Sequence, residues 1–213
     1  MNIIATTPLP PVLTQCSQYR PHRRRQVGNY YLGKPDLDRF NQLLSILGNP
    51  GPALDSDQIA TAARLLVDGQ ANQATPACIE ERMAQAQALS SMMQDHDWET
   101  LREVSQPAQA VLDYLHDDHA LIPNAIPRVG HLDDAIVVEA AWPRLSAEVV
   151  NYLDFCRLRQ IEAWLQAAEP GSFHFSRKQW QLAHWAEAEL HAHGRRVRES
   201  SYVPASAGLF RVH

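Results

Sequence analysis

Residues 121–134 read Leu-Ile-Pro-Asn-Ala-Ile-Pro-Arg-Val-Gly-His-Leu-Asp-Asp, two Ile-Pro pairs four residues apart, then a glycine and two acids. The residue before a proline is pushed out of the α region, and proline itself has no amide donor, so no regular helix runs through both pairs. The stretch predicts a stiff helix–helix corner at 121–132, with one 3₁₀ turn between the prolines. Four-residue spacing sends Ile122 and Ile126 to the same side, into a core. Gly130 supplies a positive φ if the turn requires one. Asp133 and Asp134 fall where the next helix begins. There one caps free amides and both favour the positive end of the dipole, each effect worth about 0.5–2 kcal/mol.

On both sides of the corner the apolar residues recur at helical spacing. The run from Lys34 has Asp36 as cap, Phe40, Leu43, Leu44 and Leu47 as a face and Gly48 as stop. Asp55 caps a second helix that carries Ile59, Ala62 and Leu66 and ends at Gly69. A third opens at Thr75-Pro76 and runs through Ile79, Met83, Ala86, Leu89 and Met93. A short helix with Trp98, Leu101 and Val104 inward follows, and Pro107 opens the next. Beyond the corner a helix runs from Asp133 to Trp142, and Pro143 kinks it or begins another. The longest candidate places Leu145, Val149, Tyr152, Cys156 and Trp164 near one face. Ser176 caps the last helix and Gly194 stops it. No strand pair with a hairpin signal is recognised. The expected fold is all-α, an irregular or orthogonal bundle of six to eight helices. The expected organisation is an extended basic arm at 1–34, one helical domain at 35–194 and an irregular tail at 195–213.

The net charge of −5 is unevenly spread. Residues 1–54 carry six basic against two acidic side chains, residues 55–154 five against seventeen, and residues 155–213 eight against five. Basic ends flanking an acidic middle fold back on it or engage an acidic partner. Cys16, Cys78 and Cys156 are odd in number and lack metal-ligand spacing, which fits a reducing cytoplasm better than a disulfide framework. The N-terminal segment has no signal-peptide pattern, and no apolar run is long enough for a membrane helix.

The stretch Leu121, Ile122, Pro123, Ile126, Pro127, Gly130, Leu132, Asp133, Asp134 resembles the signature of the YkvA family, the DUF1232 domain. Asn124 replaces the acid usual there, and His131 sits where an aromatic is common. The resemblance covers about residues 108–145. It implies a helical protein of a family whose function is unknown and many of whose members are regarded as membrane-associated. Arg128, His131, Glu139 and Arg144 interrupt the apolar run here, so a soluble version is expected.

Three clusters carry candidate chemistry. Asp117, Asp118, His119, His131, Asp133 and Asp134 flank the corner and would suit a divalent cation if they converged. Otherwise they are a solvated helix end and a capped helix start. His184, Glu187 and His191, with His193 beyond, lie within reach of one helix face. Their spacing is not that of a zinc protease, and an exposed polar face is the plainer reading. Arg20, Arg23, Arg24 and Arg25, near Tyr19, Tyr30 and Tyr31, form an anion-binding run without a nucleic-acid motif, so the arm is expected to dock on the acidic middle instead. The pair Trp180 and Trp185 is expected in the core. No nucleophile elbow, catalytic cysteine signature or phosphate loop is present.

The expectation is therefore a cytoplasmic binding or adaptor module for a protein partner, with no cofactor and no nucleic acid. The alternatives are a metal-dependent hydrolase built on the Asp/His cluster and a protein that associates peripherally with membranes.

Overall fold

Gly48 ends the first helix in the left-handed conformation, φ 92°, and Asp55 begins the next through a reciprocal capping box with Gln58. The computed structural model describes residues 7–15, 24–49, 51–69, 74–117, 120–169 and 173–201, with 198–201 described by backbone alone. The protein is all-α. Among the described residues it has six helices: α1 (Lys34–Leu47), α2 (Ser56–Asp68), α3 (Ala77–Gln94), α4 (Arg102–Leu115), α5 (Leu132–Leu165) and α6 (Arg177–Ser201). The chain divides into two compact units, residues 1–153 and residues 154–213. No helix among the described residues is long and apolar enough to cross a membrane.

In the first unit α4 packs against α1 and α3. From Leu132 to Val138 every residue of α5 is buried, so this segment is covered all round instead of offering one stripe. The corner, residues 120–131, is non-helical as expected.

Several local expectations need correction. Asp36 does not cap α1. Gly33 holds that position without a side-chain bond, and Asp36 pairs with Arg39 one turn on. Trp98 is fully buried, but in a turn, and Leu101 is exposed at the start of a single helix that contains Pro107. Burial of Pro107 and Ala108 offsets the lost amide. Pro143 lies on the exposed side of α5, which passes through it as one helix. Trp164 is 76% exposed, and its neighbour Ala163 is buried instead; likewise Phe155 is fully buried while the adjacent Cys156 is only half-buried, because a face extended along a long helix drifts around it. Gly194 does not stop α6, since its backbone stays helical and the helix continues to Ser201.

The arm is not simply extended. Residues Pro11–Leu13 form a 3₁₀ turn, and two short antiparallel strands, β1 (Gln26–Val27) and β2 (Tyr30–Tyr31), make a hairpin with Gly28 at φ 58°. The two-residue Gly28-Asn29 connection is a hairpin signal.

In the second unit the Asp154 carboxylate accepts the Trp180 indole N–H at 2.8 Å and an Arg157 N–H at 2.9 Å, and meets His184 Nδ1 at 3.2 Å. Arg157 reaches Glu187 at 2.8 Å. Trp180 is buried as expected, whereas Trp185 is 63% exposed on the other side of α6.

Candidate functional site

The corner is fixed from its acidic end. Asp133 Oδ2 accepts the backbone N–H of Ile122 at 3.0 Å and the hydroxyl of Tyr114 at 2.7 Å. The Tyr114 oxygen in turn accepts the Leu121 N–H at 3.1 Å. One carboxylate oxygen thus joins α4, the first Ile-Pro pair and the start of α5. The two amides lie next to Pro123, in a segment that has left helical geometry and needs acceptors from elsewhere. Asp133 is fully buried and Asp134 nearly so. Neither is the solvated helix start that the sequence suggested, because the whole first turn of α5 lies inside the unit.

Within the corner, Ile126 N–H bonds to Pro123 O at 3.0 Å and Gly130 N–H to Ile126 O at 2.9 Å. Ile122 is fully buried, but Ile126 is only half-buried, beside Gly28 of the hairpin, and Val129 fills the interior place instead. The left-handed residue is Arg128, φ 72°, not Gly130. Gly130 is required for space, since a Cβ there would lie 2.5 Å from Asn124 O and 2.8 Å from Ile126 O.

Burial drives the Asp133 carboxyl up to about 6, with the neighbouring Asp134 charge adding to the shift. The Ile122 and Tyr114 hydrogen bonds oppose that shift without cancelling it. Burial raises the Tyr114 hydroxyl well above its ordinary range, and the Asp133 charge pushes it further. Asp134 is raised by burial, against the pull of His131, whose Nδ1 meets Asp134 Oδ2 at 2.7 Å. The remaining oxygen of each aspartate is buried without a hydrogen-bond partner. The imidazole of His131 is 46% exposed, so it carries the buried acid's hydrogen bond to the surface. The carboxylate orients the imidazole, and no nucleophilic side chain among the described residues bonds to it.

The structure therefore brings together Ile122, His131, Asp133 and Asp134, and adds Tyr114, whose place in the last turn of α4 gave no signal. Asp117 stands apart at the exposed end of that helix. Asp118, His119, Arg20 and Arg23 lie outside the described residues. Among the described residues no three His, Cys, Asp or Glu side chains are placed to hold a metal ion. His184 and Glu187 are taken up by Asp154 and Arg157. Arg24 meets the acidic middle through its backbone N–H, which Asp57 accepts at 3.1 Å, and the Arg25 guanidinium turns to the Tyr31 hydroxyl at 3.2 Å. The arm does reach the acidic middle, but these two arginine side chains are not what anchors it.

On the outward side, the corner borders a cavity of about 500 Å³. Pro123, Asn124 and Ala125 form one wall, and Tyr30, Asp36 and Asp117 contribute to the other.

No family model matches the chain, and no curated protein or solved structure is similar to it.

Proposed function

We propose that the protein is a non-catalytic binding module of the YkvA type, in which the proline corner is a rigid platform for a protein partner. The observation that carries this reading is the fate of the motif's acids. Asp133 is spent on the Ile122 amide and the Tyr114 hydroxyl, and Asp134 on His131. The groups that would have supplied chemistry instead hold the backbone still. What the corner presents outward is Pro123, Asn124 and Ala125, beside Asp117 and the Asp36–Arg39 ion pair. That concave surface suits a lysine or arginine side chain of the partner, its methylene stem covered by proline and alanine and its cationic head competing with Arg39 for Asp36.

The test is affinity capture from native lysate with the wild-type chain and with Asn124→Arg, which puts a like charge in the cavity. A protein retained by the first and lost from the second, with both baits folded, supports the reading. Retention by both, or turnover of a general hydrolase substrate by the wild type that Asp133→Asn removes, counts against it.

A further inference from the structure

A second cavity, of about 410 Å³, lies elsewhere in the first unit, between the Pro-rich segment 8–14, the end of α1 and the middle of α5. The segment is not loosely laid down. At one end Thr7 gives its N–H and its hydroxyl to the two carboxylate oxygens of Glu81, at 2.9 and 3.0 Å, and its carbonyl accepts from the buried Arg82. At the other end the side-chain amide of Gln58, itself buried, donates to Val12 O at 3.2 Å and Gln15 O at 2.8 Å. Between these ties run Pro8, Pro10 and Pro11, whose fixed φ angles hold the span open as a strap. Under it the cavity is walled mainly by apolar side chains, among them Leu9, Leu13, Leu47, Ile136 and Ala140.

Two charged residues border it, and only one charge is neutralised. Glu139 is held by Arg82 Nε at 3.0 Å and Nη2 at 2.9 Å. Arg144 gives one N–H to Ile46 O at 3.1 Å, a neutral acceptor at the C-terminal end of α1 that orients the guanidinium and leaves it cationic. No carboxylate among the described residues pairs with Arg144. An apolar cavity with one positioned guanidinium at its edge is complementary to an apolar chain that ends in a single planar anion, which arginine can grip with two parallel N–H bonds. Cavities of this size hold small organic molecules.

We propose that the cavity beneath the strap binds a single-chain aliphatic carboxylate of about eight to twelve carbons, its chain against Leu9, Ile136 and Ala140 and its carboxylate on Arg144. The site lies apart from the corner and does not depend on the reading given for it.

Calorimetric titration of the full chain with monomeric decanoate and, separately, decylamine tests this. Saturable decanoate binding is expected, with decylamine at least about tenfold weaker and Arg144→Gln costing decanoate about tenfold. Ala140→Trp fills the cavity and is expected to abolish binding while the chain still unfolds cooperatively; Leu13→Trp on the strap serves if that variant does not fold. Equal binding of acid and amine, no saturable binding below about 1 mM decanoate, or unchanged affinity in a folded cavity-filling variant overturns the proposal. Co-sedimentation with anionic phospholipid vesicles in the absence of decanoate binding also overturns it.

Discussion

The Tyr114 hydroxyl lies 2.7 Å from Asp133 Oδ2, nineteen residues on and across the corner, and the same carboxylate oxygen takes the Ile122 N–H. A buried carboxylate with two donors is held in place, and removing one donor leaves it under-solvated.

Tyr114→Phe deletes the hydroxyl while keeping the ring. The Leu121 amide loses its acceptor in the same step. The expected cost is about 2–3 kcal/mol, within the range for hydrogen bonds to a buried charge. Urea unfolding followed by far-ultraviolet dichroism measures it, and a loss below about 0.5 kcal/mol would show that the tie contributes little.

The Asp133 carboxyl is raised in the folded chain to about 6, from an ordinary 3.8. The folded state therefore holds this proton more tightly than the unfolded state does. Its favourable contribution is complete below the unfolded value and is lost as pH rises through about 6. The accumulated difference at neutral pH is about 2–3 kcal/mol. Asp134, also raised by burial, acts in the same direction. The urea midpoint is expected to be higher at pH 5.5 than at pH 8, with the slope reduced in Asp133→Asn.

Gly130 stands where a Cβ would meet backbone oxygens at 2.5 and 2.8 Å. Backbone cannot swing aside as a side-chain tip can. Gly130→Ala is expected to destabilise by at least about 2 kcal/mol, although φ at this position is not left-handed. Thermal unfolding reads the change, and a stabilised Gly130→Ala variant would contradict the packing described.

Gln58 closes the capping box with its amide oxygen and holds the strap with its amide nitrogen. Gln58→Ala is expected to cost about 1 kcal/mol for the cap and to release the Val12–Gln15 end of the strap, while Thr7 stays held by Glu81 and Arg82. Limited proteolysis should then cut that segment faster than in the wild type, with α3 still protected.

Much of the helical order was legible because its punctuation is local. Gly48, the Asp55 cap and Ser176 act on neighbouring amides, and two spaced Ile-Pro pairs exclude a helix whatever surrounds them. The hairpin was missed although Gly28-Asn29 signals it, because two-residue strands leave no alternation to read. The fate of the acids was not legible. Asp-Asp at a helix start reads the same whether the helix opens in solvent or in a core, and only the all-round apolar run Ala135–Val138 that follows hints at the second. Tyr114 and the strap ties of Glu81, Arg82 and Gln58 act between residues far apart in sequence, where spacing carries no information. Spacing puts Trp164 on the inward face and residue type alone puts Trp185 in the core, and tertiary packing exposes both.

Because α4, the corner and the start of α5 meet at one oxygen atom, none of them can fray separately without stranding a partner inside. The amide hydrogens of Leu121 and Ile122, though carried by an irregular loop, should therefore exchange with solvent as slowly as those in the buried first turns of α5, and by the same concerted opening.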